Sequence, residues 1–254
     1  LRQKYGQHFL SDHTIARRIV EAAELDGKSA VLEIGPGKGV LTDMLAARCA
    51  KLTAVEIDAL LDEKLQTRFA NKPNVEIVRA NFLDFELHSG NQPVTIISNL
   101  PYYVATAIIE HFLPWQGWSS AVVMVQHEVG ARICASVNSC DYGYYSLLCQ
   151  YYADCKIIFT VLPGSFSPAP KVNSAVVRLI NKFPQPPAEG VFNLIKHVFA
   201  HRRKTMLNAL SLGTERDKET LKPLIQKAGI SPSLRPQNLS WEDYFRLQQA
   251  LTNR

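Results

Sequence analysis

Four consecutive residues carry the most specific chemistry in this 254-residue chain. Asn99, Leu100, Pro101 and Tyr102 end a β-branched run and bring together a side-chain amide oxygen, a backbone carbonyl, a turn set by proline, and an aromatic ring. Such a set suits an amine attached to a flat heteroaromatic base. The nitrogen lone pair is shared with the ring and its protons cannot be removed near neutral pH, so hydrogen-bond acceptors must activate it. The Asn99 oxygen and the Leu100 carbonyl would take the two hydrogens and draw the nitrogen toward tetrahedral geometry as it attacks. Tyr102 would stack on a base extruded from its helix, a contact worth about 1 to 3 kcal/mol against an extrusion cost of a few kcal/mol. A capped turn after a strand is the structural alternative for these four residues.

A second group lies upstream. Gly35, Gly37 and Gly39 follow a short apolar run, and glycine lets backbone approach a ligand closely where a strand hands over to its helix. By itself a glycine turn is often only a turn. Glu56, at the end of the next apolar run, adds a carboxylate able to accept both hydroxyl hydrogens of a ribose. Dinucleotide sites place the third glycine three residues after the second to seat a pyrophosphate. Here Gly39 follows Gly37 by two, which favours S-adenosylmethionine, a ribose-bearing cofactor without phosphate. Glu33, just before the turn, is a candidate for the amino acid end or for a structural role.

Around these groups the hydrophobic pattern predicts alternation of strand and helix. Residues 30–34, 52–55, 75–78, 94–97 and 121–125 read as strands, with helical spacing after the glycine turn and over 60–69. That order implies a doubly wound α/β fold with a mostly parallel sheet and right-handed crossovers. The tyrosine-rich stretch containing Tyr142, Tyr144, Tyr145, Tyr151 and Tyr152, then 157–162 and 174–180, are predicted as later strands of the same sheet. Pro184, Pro186 and Pro187 mark a stiff connector. The expected domains are 1–183, catalytic, and 190–254, small and helical, with helices over 191–212, 218–228 and 241–251 and Ser240 as the last N-cap.

Hydrophobic residues make up 46% and charged residues 20%, which excludes a disordered or fibrous chain. No apolar run reaches the roughly 18 residues of a membrane span, and no apolar leader opens the sequence. Five cysteines without a Cys-x-x-Cys pair signal neither a disulfide framework nor a zinc site. A reduced, cytoplasmic protein is expected. No metal is expected either: His197 and His201 stand four apart without a third ligand. From residue 185 onward there are 11 Lys and Arg against 6 Asp and Glu, which accounts for the whole net charge of +5. A basic appendage on a neutral body points to a polyanion such as nucleic acid. Arg202, Arg203 and Lys204, placed on a helix face, are the candidate phosphate contacts.

With these residues in view, the chain resembles the ribosomal RNA adenine N6,N6-dimethyltransferase family. The likeness covers 6–10 (GQHFL), 32–42 (LEIGPGKGVLT), 55–58 (VEID), 99–103 (NLPYY), 126–131 (QHEVGA), 166–178 (FSPAPKVNSAVVR), 202–210 (RRKTMLNAL) and 234–239 (LRPQNL). The resemblance implies a Rossmann-like class I methyltransferase that uses S-adenosylmethionine to dimethylate two adjacent adenines near the 3′ end of small-subunit (16S) rRNA within a pre-30S-like particle, and a monomer is expected. It further implies that His8, Leu10, Gly35, Glu56, Asn81 and Asn99 contact the cofactor and that Phe166 packs beside the target base. Two positions depart from the common pattern: His8 stands where many members have Asn, and Asn81 where many have Asp. Weaker cofactor affinity with retained activity is the expected consequence. The N-terminal segment through Leu10 is expected to close over the bound cofactor. Related enzymes that methylate 23S rRNA more often carry Asn-Ile-Pro-Tyr and lack the FSPAPKV and RRKT stretches. A nonenzymatic role in subunit assembly is a third possibility.

Overall fold

Runs of β-branched and aliphatic residues that must be buried on both faces can satisfy their backbone only in the middle of a sheet. The computed structural model, which describes residues 8–88, 90, 92–187 and 190–252, gathers them in that way. In chain order the elements are β1 (Phe9–Leu10), α1 (His13–Ala22), β2 (Ala30–Ile34), α2 (Val40–Ala46), β3 (Lys51–Glu56), α3 (Ala59–Phe69), β4 (Val75–Arg79), β5 (Val94–Asn99), α4 (Ala105–Phe112), β6 (Trp118–Gln126), α5 (His127–Ile133), α6 (Tyr144–Tyr152), β7 (Ala153–Val161), β8 (Phe166–Ser167) and β9 (Ser174–Asn181). Helices α7 (Val191–Ala200), α8 (Met206–Thr214), α9 (Lys218–Lys227) and α10 (Trp241–Thr252) follow.

Seven strands form one sheet in the order β4-β3-β2-β5-β6-β9-β7. The pairs from β4 to β6 are parallel, and β9 runs antiparallel to both β6 and β7. The chain winds from β2 outward to β4, then returns to the other side of β2 as β5. Between β2 and β5 it therefore leaves a switch point, where a crevice opens beyond the carboxyl ends of the strands. Aspartates start three of the helices: Asp12 Oδ1 accepts from the Thr14 and Ile15 amides, Asp58 Oδ1 from Leu60 and Leu61, and Asp217 Oδ2 from Glu219 and Thr220.

Two compact units result, one from Leu1–Gly130 with Ala153–Asn181, the other from Ala131–Tyr152 with Lys182–Arg254. The sheet belongs to the first. The expected division at 183–190 therefore differs from the structure in one respect, because Ala131–Tyr152 belongs with the C-terminal helices. The tyrosine stretch predicted as strand is the helix α6, and Tyr142 and Leu147 are buried in one core with Val191, Ile195, Val198 and Tyr244. A short apolar run with aromatic residues has no period that separates strand from helix, and packing decides.

The single helix expected over 191–212 is broken. His201 ends α7, and α8 starts at Met206 with its first amides satisfied from afar: Met206 donates to the Leu234 carbonyl and Leu207 to that of Pro232. Arg202, Arg203 and Lys204 consequently sit in a turn rather than on a helix face. Ser240 caps α10 as expected: its hydroxyl accepts from the Asp243 amide at 3.3 Å, and the Asp243 carboxylate accepts from the Ser240 amide at 2.8 Å.

Candidate active site

The glycine turn fills the space between β2 and α2. Gly37 has φ +59, and a Cβ there would stand 3.2 Å from the Phe9 ring; Gly39 has φ +80, and its Cβ would meet Leu65 Cδ2 at 2.9 Å. Left-handed backbone and close neighbours together demand glycine. Arg68 of α3 holds the turn from outside, donating to the Lys38 carbonyl at 3.0 Å and pairing with the Asp43 carboxylate. Glu56, buried at the end of β3, accepts the Gly37 amide on Oε2 at 3.0 Å and the Asp58 amide on Oε1 at 2.9 Å. Burial raises its pKa above the usual carboxylate range, and these amides oppose that rise.

Glu33 is buried to 1% exposure, and its Oε2 has no hydrogen-bond partner among the described residues. Loss of solvent, opposed by the neighbouring Thr42 hydroxyl and reinforced by repulsion from the Glu56 and Asp43 carboxylates, pushes its pKa up to about 8.

At the end of β5 the chain turns through Asn99, Leu100, Pro101 and Tyr102. Leu100 donates its amide to Met124 of β6 at 3.0 Å, and its side chain is buried. Asn99 donates its amide nitrogen to the His8 carbonyl at 3.2 Å, so the acceptor, Oδ1, stays uncommitted among the described residues. The His8 ring lies 5.5 Å from that of Tyr102, and its Nδ1 is 2.8 Å from the Pro168 carbonyl oxygen. One cavity is bordered by both turns: His8, Leu10, Glu33, Gly35, Gly37 and Glu56 meet Asn99, Leu100, Pro101 and Tyr102 on its walls. An acceptor pair beside an aromatic ring thus faces a glycine-floored, ribose-ready carboxylate.

A family model described as ribosomal RNA adenine dimethylase matches residues 1–253. The chain belongs to the ribosomal RNA adenine dimethylase family. It is therefore similar throughout to enzymes of one reaction type, rRNA adenine methylation with S-adenosylmethionine as the methyl donor. Ribosomal RNA small subunit methyltransferase A of Bacillus mycoides is 37% identical over 98% of this chain and 91% of its own length, and that of Bacillus cytotoxicus 38% over the same shares. Among solved structures, a dimethyladenosine transferase from Plasmodium falciparum is similar with TM-score 0.82 at 22% identity, covering 94% of this chain and 96% of its own. The 23S rRNA methyltransferase ErmE is similar with TM-score 0.73 at 27% identity, covering 96% and 99%.

The residues bordering the cavity fit the family's methyl donor. Glycine backbone leaves room, the Glu56 oxygens meet only backbone amides, and Glu33, whose Oε2 has no hydrogen-bond partner among the described residues, borders the cavity.

Two expected site residues are not among those bordering this cavity. Asn81, after β4, caps a short turn: its Oδ1 accepts the Leu83 amide at 3.3 Å, and its Nδ2 donates to Asp84 at 2.7 Å. It is absent from the cavity wall. Phe166, expected beside the target base, is 4% exposed and sits in the core, paired through β8 with Leu10 of β1. It supports the strand that carries His8 and Leu10 instead of bordering the cavity. Residues 1–7, the rest of the segment expected to close over the cofactor, lie outside the described residues. In the helical unit, Arg202 donates to the Cys140 carbonyl at 2.9 Å, while Arg203 and Lys204 are exposed.

Sequence reasoning did not single out Ser98, Arg68 or Ser174. Ser98 donates its hydroxyl to the Ile34 carbonyl at 2.5 Å, tying the two turns' parent strands together. No local signal marks a buried serine as a tie between strands.

Proposed function

We propose that this chain dimethylates N6 of two adjacent adenines in the 3′-terminal hairpin of small-subunit (16S) rRNA, in the cytoplasm and on a pre-30S-like particle, as a monomer. The observation that carries the reading is the state of Asn99: its nitrogen is taken by the His8 carbonyl, which leaves a hydrogen-bond acceptor on the cavity wall beside Tyr102. S-adenosylmethionine supplies an electrophilic methyl group. Glu56 and the glycine turn would hold its ribose, His8, Leu10 and Gly35 would line its seat, and Glu33, protonated in the free chain near neutral pH, would release that proton to face its cationic end. Asn99 Oδ1 and the Leu100 carbonyl take the N6 hydrogens of the adenine, Pro101 keeps both acceptors in register, and the Tyr102 ring stacks on the base. Donating nothing to the amine, the site leaves its lone pair free to attack. Asn81 is off that cavity's wall but follows Ala80, whose amide donates to the Glu56 carbonyl, and it is read as a neutral contact for the adenine of a cofactor that extends past Glu56. Arg203 and Lys204, with Arg202 behind them, are read as phosphate contacts of a C-terminal RNA-binding unit, which makes binding fall with added salt.

The small-subunit assignment is supported by the Bacillus relatives, which match over nearly the whole chain. Transfer of labelled methyl groups to undermethylated small subunits and, separately, to large-subunit rRNA tests it, with nucleoside analysis of the products. N6,N6-dimethyladenosine in the small subunit, lost in Asn99→Ala, is expected. Label in the large subunit alone would move the chain to the activity that ErmE's name states.

A further inference from the structure

Tyr102 is half-buried, and its hydroxyl lies 2.6 Å from Oγ of Ser174. Ser174 is fully buried at the first position of β9, in register with Gln126 of β6 and Val161 of β7. The backbone around it is pinned as well, since the neighbouring Asn173 carbonyl accepts the His127 amide at 2.9 Å. A phenol half out of solvent needs a partner for its hydroxyl, and a serine held by two strands has few orientations to offer. The ring is thus fixed at its far end by the sheet, and the tilted ring of His8 lies 5.5 Å from it.

We propose that Ser174 is a positioning residue, whose hydroxyl holds the Tyr102 phenol so that the ring stands as a rigid wall for the target adenine. The proposal rests on the reading of Tyr102 as the stacking residue. A ring free to rotate about its side-chain bonds would have to be ordered each time a base enters, and that ordering is taken from the stacking gained. With the bond in place the ordering is done during folding. The bond links the turn after β5 to a strand two places away in the sheet, so it also fixes how far Tyr102 reaches into the cavity.

The test compares Ser174→Ala, Tyr102→Phe and the double variant, using undermethylated small subunits and S-adenosylmethionine. Each single change is expected to lower kcat/KM for the RNA substrate about tenfold, and the double change also about tenfold, because both remove one bond. Cofactor affinity should stay within about twofold, a split that general loosening of β9 would not produce. An rRNA carrying 2-aminopurine at the target position should show fluorescence quenched by stacking with the unaltered protein and less quenched with either variant. Additive losses near a hundredfold, or an unaltered kcat/KM in Tyr102→Phe, would overturn the proposal. Should Ser174→Ala fail to fold, Tyr102→Phe still removes the same bond from the cavity side. Tyr102→Ala separates the two levels: if it retains full activity the stacking reading fails, whereas loss there with no effect of Tyr102→Phe defeats only the role of Ser174.

Discussion

The two turns that border the cavity leave neighbouring strands of one sheet, yet they are built on opposite plans. The turn after β2 works with backbone: three glycines at positive φ, the Gly37 amide directed at Glu56, and packing from α3, the next helix but one. The turn after β5 works with side chains, and each is held from a remote part of the chain. Asn99 is held by His8, Leu100 by Met124, and Tyr102 by Ser174. A cofactor of invariant shape can be met by a local backbone mould. A poor nucleophile needs acceptors at set positions, and only a rigid scaffold provides these.

That contrast can be broken at either turn. The largest effect is expected from Asn99→Ala, which removes an acceptor from the reacting nitrogen and should lower the single-turnover rate by about 100-fold or more while melting temperature barely moves. Next comes Gly39→Ala on the backbone side. With φ +80 and Leu65 at 2.9 Å from the new Cβ, it should destabilise the fold by about 1 to 2 kcal/mol, read by urea denaturation, and weaken cofactor binding in calorimetry.

Glu33 gives a third handle. Its folded-state pKa of about 8 lies above the ordinary 4.5, so between these values the folded chain keeps a proton that the unfolded chain has released. Stability from this group is fully present below about 4.5 and is lost as pH rises toward 8, with a slope of at most about 1.4 kcal/mol per pH unit. Glu56, shifted the same way, contributes its own share. In urea titrations from pH 5 to 8, Glu33→Gln should flatten the slope; an unchanged slope would rule out a neutral Glu33. The smallest effect concerns Asn81. Asn81→Asp alone would set a carboxylate against that of Asp84, where Asn81 now donates at 2.7 Å. Combined with Asp84→Asn, it should tighten cofactor binding several-fold, since a charged acceptor is worth about 1 kcal/mol more than a neutral one.

Amino-acid order alone determined the cofactor mould and the sheet that carries it. Glycines at 35, 37 and 39 and a carboxylate at 56 belong to residues close in sequence, and β-branched runs of 4 to 6 residues declare buried strands through their own composition. The Asn-Leu-Pro-Tyr turn was legible as a candidate for chemistry for the same reason, since its residue types are those the proposed reaction needs. Tertiary structure alone decided which atoms of that turn are free. Asn99 could present oxygen or nitrogen to the cavity until the His8 carbonyl took the nitrogen, across 91 residues of chain. It also decided that α6 is a helix, that α7 and α8 part at 201–205, and that Phe166 and Asn81 stand off the cavity wall. Hydrogen-bond partners and buried faces are set by residues far apart in sequence, and only the packed fold chooses among them.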